Sequence, residues 1–155
     1  MKKFIIYFLL FYCFFESHTA IAQDKYFKEI SASCSTFLST LSPIQSKSAL
    51  LSFGDTARIQ WNNLPVGLRA RAGISIGHMT EEQRKLLHRI LSVSLSSQGY
   101  LKATSIFHLD NLLNEMYDSF LYAKTIDSSM HKMVKGLQWG HRNFYLAFFG
   151  KPGDQ

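Results

Sequence analysis

Thr80-Glu81-Glu82-Gln83 constrains the fold of this chain more than any other stretch. The threonine hydroxyl can meet a free backbone amide while the glutamine reaches back to the threonine N–H. That reciprocal capping box starts a helix at one definite residue. Glu81 and Glu82 also face the positive end of the helix dipole. Leu86, Leu87, Ile90, Leu91 and Ser94 then fall on one face with Val93 beside it, and Gly99 offers a left-handed stop. A second helix is expected over about 100–122, burying Ile106, Phe107, Leu109, Leu113, Met116 and Phe120. Two helices joined by a tight turn pack antiparallel, so the helical hairpin 80–122 is expected at the centre of the fold.

The flanking segments are read in the same way. Phe27, Ile30, Cys34, Phe37, Leu38 and Leu41 recur at spacings of three and four, which makes 24–41 an amphipathic helix. Ser42-Pro43 combines a capping serine with a proline at the first helical position, and predicts a shorter helix to about Phe53. Thr56 to Trp61 has room for one more helical turn. Asn62-Asn63, Pro65, Gly67, Gly73 and Gly77 crowd the next 16 residues into an irregular loop, and a long loop in a compact domain is often functional. Asp127-Ser128-Ser129 starts a last helix with Met130, Met133, Val134 and Leu137 on one face, ended by Gly136 and Gly140. Phe144 to Phe149 is apolar enough for a buried strand. The expected fold class is therefore mainly α with a short C-terminal β element. A lone strand cannot satisfy its own backbone groups, so this one needs a partner that the sequence does not obviously supply.

The N-terminus reads as an export signal. Lys2 and Lys3 precede an unbroken apolar run from Phe4 to Phe15, and Ala20-Ile21-Ala22 places small residues where a signal peptidase cuts, between Ala22 and Gln23. Residues 1–22 are then a signal peptide and 23–155 a single helical domain, periplasmic or secreted. The run is too short to leave a stable membrane span, which takes about 20 apolar residues. The full sequence carries 17 Lys and Arg against 11 Asp and Glu. Basic residues of the central helix interleave with Glu81 and Glu82, so no nucleic-acid surface is expected. Of the two cysteines, Cys13 lies in the apolar run, which leaves Cys34 without an intramolecular partner.

Several pieces in order resemble a bacterial domain-of-unknown-function family, the one numbered 3500. They are Trp61 with Pro65, Arg71-x-Gly73, Thr80-x-x-Gln83-Arg84, Leu95-Ser96-Ser97-Gln98-Gly99-Tyr100 with Ala103 and Ile106, Gly140-His141-Arg142-Asn143-Phe144-Tyr145 and Phe149-Gly150-Lys151-Pro152. The resemblance implies an exported protein about twice as long and α+β overall. Its later part would hold a Gly-His-His segment suited to metal ligation or acid/base chemistry. This sequence ends before that segment. The resemblance therefore implies an N-terminal half, incomplete and inactive alone, with a metal only if a C-terminal half supplies one. The partner would be that half or another envelope protein. The alternative is a helical interaction module binding a protein or an anionic envelope surface.

Candidate chemistry rests on few residues. His141, between Trp139-Gly140 and the aromatic strand, is the candidate catalytic group or metal ligand. His131, in Met130-His131-x-Met133, is a second candidate ligand, although the methionines read as core. Arg69, Arg71 and His78 in the loop, with Arg142, are candidate binding residues for a carboxylate or phosphate. His88 and His108 fall away from the apolar stripes and are expected in solvent. No H-E-x-x-H pair, nucleophile elbow or glycine-rich phosphate loop is present.

Overall fold

The computed structural model describes residues 24–153, so the expected cleavage site at Ala22 and Gln23 lies outside the described residues. Helix α1 covers 24–39, α2 Pro43–Ala49, α3 Glu81–Ser94, α4 Ser97–Tyr122 and α5 Ser128–Gly136. Four two-residue strands accompany them: β1 Leu50–Leu51, β2 Ile74–Ser75, β3 Tyr145–Leu146 and β4 Phe148–Phe149. The fold is mainly helical with a small β element.

Local chemistry sets the helix starts. Ser42 with Gln45 and Thr80 with Gln83 both form complete capping boxes. The two boxes are also joined to each other, because the Gln45 and Gln83 amides pair at 3.1 Å. Gln83 Nε2 donates to the Thr40 carbonyl at 2.9 Å, and Gln45 Nε2 donates to the His78 carbonyl at 2.8 Å. One buried glutamine thus fastens the start of α3 to the junction between α1 and α2.

The core is assembled from Cys34 and Phe37 of α1, Ala49 of α2, Leu87 and Ile90 of α3, and Ile74, Ile76 and Met79 from the segment before α3. Phe144, Leu146 and Phe148 pack against this cluster, and α4 reaches it through Phe107. The pair of helices over 80–122 is present, with Leu95 and Ser96 between them, but the packing centre lies on its first arm. Gly99 is not the stop expected of it. It sits inside the first turn of α4, where its N–H donates to the Ser96 hydroxyl at 3.1 Å. The chain turns at Leu95-Ser96 because Ser96 caps α4, which needs no left-handed residue.

The aromatic segment has partners, contrary to expectation. β3 pairs antiparallel with β2, with Ile74 opposite Leu146 and Ser75 opposite Tyr145. β4 pairs parallel with β1, with Leu50 opposite Phe148 and Leu51 opposite Phe149. One strand of chain switches between two neighbours at Ala147, and Gly150 N–H continues the second ladder to the Leu51 carbonyl at 2.9 Å. The orphan-strand argument for an incomplete domain therefore falls. Its partners are two residues long and sit where helical and loop patterns mask them. For the same reason α2 ends at Ala49 rather than near Phe53.

The largest departure is α4. No residue of this 26-residue helix is buried. Ile106, Leu109, Met116 and Phe120, expected inside, are exposed, as are Leu101 and Leu112. The inner face carries Ala103, Phe107, Asn111 and Asn114, so apolar residues occupy both sides of the helix. Phe27, Met130 and Met133 are likewise exposed rather than packed, whereas Val134 is buried. Periodicity located these stripes without saying what covers them. Among the described residues no helix is long and apolar enough to cross a membrane.

Candidate functional site

The loop before β2 is held open as a wall by its own polar groups. Arg71 Nη1 donates to Asn62 Oδ1 at 2.6 Å and to the Arg69 carbonyl at 3.0 Å, and Nη2 donates to the carbonyls of Leu64 and Asn62. Gly67 then docks the loop on the end of α5. Its N–H donates to the Leu137 carbonyl at 3.2 Å, and a Cβ at this position would lie 1.7 Å from the Gly136 carbonyl oxygen. Only glycine permits that approach.

Between this loop and the 138–149 segment lies a cleft of about 540 Å³. Its aromatic lining includes Trp61, Trp139, Phe144, Tyr145 and Phe149, and its polar lining includes Gln60, Asn62, Asn63, Arg69, Asp110, Gln138 and Asn143. Trp61 is 85 % exposed. The floor is fixed: Asp110 Oδ2 accepts from Gly140 N–H at 2.7 Å, and Asn143 Nδ2 donates to the Gln138 and Trp139 carbonyls at 2.8 and 3.2 Å. Gln138 holds φ 60°, a left-handed backbone that costs a non-glycine residue about 1–2 kcal/mol. It is the left-handed residue that ends α5, as Lys124 with φ 57° is after α4.

A second cleft, of about 680 Å³, opens between α3 and α4 and is lined by His88, His108 and His141 with Arg84, Tyr100 and Phe107. His88 Nδ1 meets the Tyr100 hydroxyl at 2.9 Å, and His141 Nδ1 meets Asn111 Oδ1 at 2.9 Å. Arg84 donates to the Met79 carbonyl at 2.7 Å, and Lys85 pairs with Glu81 at 2.8 Å.

The candidate residues are thus dispersed. Arg69 and Arg71 line the first cleft, but His78 lies outside both, with Nδ1 2.7 Å from the Ser75 hydroxyl. Arg142 is exposed in a 3-10 turn whose backbone lies against Gly77. No anion site forms from these four together. His131 Nε2 meets Asp118 Oδ1 at 2.8 Å, and Lys135 Nζ donates to Asp118 Oδ2 at 2.8 Å. These bonds, Lys135 first and His131 second, hold the Asp118 carboxyl below its usual range. Asn111 and Asp118, which hold His141 and His131, stand two helical turns apart, about 10 Å. Among the described residues no group of three or more His, Cys, Asp or Glu can hold a metal ion. The two histidines therefore build no metal centre with these neighbours. Cys34 is buried in the core, and burial pushes its thiol pKa up.

Sequence reasoning missed Asn63, Asp110 and Gln138. The signal available was the pair of tryptophans, Trp61 beside an Asn-rich loop and Trp139 beside a glycine, since both of the chain's indoles end in one cleft.

A family model for proteins of unknown function, DUF3500, matches residues 23–155. The chain belongs to this family. Of the residues that carry the DUF3500 resemblance, Trp61, Pro65, Arg71, Asn143, Phe144, Tyr145 and Phe149 line the first cleft, Arg84, Tyr100 and His141 line the second, and the rest line neither. No curated protein and no solved structure matches the chain.

Proposed function

We propose that this DUF3500 protein is exported and acts as a helical module completed by a second polypeptide seated on the outer face of α4, without catalytic activity of its own until that partner is bound. Export is supported by Lys2-Lys3, the apolar run Phe4 to Phe15 and the small residues of Ala20-Ile21-Ala22. The observation that carries the partner is the outer face itself. Leu109, Leu112, Met116 and Phe120 stand in solvent on a helix that is apolar on both sides. Such a helix belongs inside an assembly, because each side chain left partly wet forfeits a share of the about 1.5–3 kcal/mol that its full burial supplies. A protein fits this face better than an anionic membrane does. The cations of α3 are already engaged, Lys85 by Glu81 and Arg89 by Glu29, so they offer little attraction to lipid headgroups. The partner is a C-terminal half of a longer family-like protein or another envelope protein.

The test places a photo-crosslinking amino acid at Leu109 or Leu112, and at Glu115 on the polar side, in cells making the full chain. Processing at Gln23 and a discrete polypeptide adduct from positions 109 and 112 alone are expected. An adduct that extends the family pattern identifies a separate C-terminal half, and any other envelope protein identifies a module. Lipid adducts, no adducts, or an unprocessed cytoplasmic chain would sink the proposal.

A further inference from the structure

We infer that the cleft between the 59–72 loop and the 138–149 segment is a saccharide-binding site, taking one or two neutral sugar rings against Trp61. Sugars present two chemistries at once. The ring faces carry patches of C–H that settle on an indole, and the ring edges carry hydroxyls that both donate and accept hydrogen bonds. A matching site needs an exposed aromatic plane beside planar side chains that also donate and accept, above all Asn, Gln and Asp.

The cleft carries both, among aliphatic residues and three arginines. The Trp61 indole stands open to solvent at its rim, with Trp139 and Tyr145 further in. Gln60, Asn63 and Gln138 line the cleft and make no side-chain hydrogen bond among the described residues, so their amides remain available. Asp110 spends one carboxylate oxygen on Gly140 N–H and keeps the other. A volume of about 540 Å³ suits a mono- or disaccharide.

Few free donors are left for a phosphate or carboxylate ligand. Of the three arginines lining the cleft, Arg71 is consumed by the loop's carbonyls and Asn62. Arg58 donates to the Phe53 carbonyl at 2.9 Å and lies 4.5 Å over the Phe53 ring. Arg69 remains, with Asp110 also on the lining. The arginines keep their charge, but one guanidinium with free N–H groups makes no convergent clamp for an anion, whereas the amides of the lining suit a polyol. None of this depends on a partner at α4.

The two tryptophans make the test direct, because the whole chain has two and both line this cleft. Tryptophan emission is titrated with cellobiose, maltose and chitobiose, and separately with inorganic phosphate and glycerol, at constant ionic strength. At least one disaccharide is expected to shift the emission saturably in the millimolar range or below, while phosphate and glycerol do not. Trp61→Ala should weaken binding of that sugar at least tenfold by calorimetry with an unchanged helical spectrum, since the indole is mostly in solvent. Trp61→Phe should restore part of the affinity, and Asn63→Ala should weaken it severalfold. Tyr122→Ala, at an exposed aromatic far along α4, should change nothing. A saturable response to phosphate but to no sugar, silence with every sugar, or sugar binding unaffected by Trp61→Ala overturns the assignment.

Discussion

Gln83 shows how much one buried polar side chain can decide. It is 2 % exposed, receives the Thr80 N–H at 2.9 Å, donates to the Thr40 carbonyl and pairs with Gln45. The capping role is local and was legible at sequence level, since a Thr with a Gln three residues on needs only backbone geometry. The second role, tying α3 to the α1–α2 junction, depends on a contact across 43 residues and was not. Gln83→Leu keeps the volume but strands the Thr40 carbonyl, the Thr80 N–H and the Gln45 amide. The expected cost is about 2–3 kcal/mol, read as a lower urea midpoint with an unchanged slope. A midpoint equal to that of the parent would show that the two capping boxes are not coupled.

At the scale of elements, α4 and α5 share a surface polar cluster in addition to their packing, with Val134 of α5 buried. Asp118 bridges Lys135 and His131 across the two helices, and its carboxyl pKa is lowered by those bonds. A carboxyl whose folded-state pKa is depressed contributes stability above the ordinary carboxyl range and loses it as pH falls through the lowered value. Acid should therefore loosen α5 from α4 before the core unfolds. Hydrogen exchange of the α5 amides, relative to the intrinsic rate at each pH, is expected to rise on the acid side of the Asp118 transition. Asp118→Asn should show the raised exchange already at neutral pH, with little further change on acidification. Exchange in α5 that ignores both pH and the substitution would refute this. The start of α5 was visible in Asp127-Ser128-Ser129, and Asp127 does accept the Met130 N–H at 2.8 Å. What faces α5 was not visible, because Asp118 and Lys135 look like ordinary solvated charges until two helices meet.

For the molecule as a whole, the segment from Phe144 to Phe149 closes the structure. Phe144, Leu146 and Phe148 pack on the core formed by α1, α2, α3 and the β2 region, and the same residues' backbone pairs with β1 and β2. A stop codon at position 144 should abolish the cooperative urea transition of the 23–155 chain, whereas a stop after Lys151 should retain it. Cooperative unfolding without the segment would mean that the helices are self-sufficient. By itself the sequence determined the capped helix starts, the apolar stripes and the glycine-rich loop, because capping, periodicity and turn chemistry act over a few residues. It placed a strand at the right residues yet left it unpaired. Only the tertiary structure decided that Leu50-Leu51 and Ile74-Ser75 complete that strand, that the outer stripe of α4 stays wet, and that Trp61 and Trp139 share one cleft. The strand pairings and the shared cleft join residues far apart in the chain, and the exposure of α4 reflects what the other elements leave uncovered, so each depends on how the elements are arranged in space rather than on any local pattern.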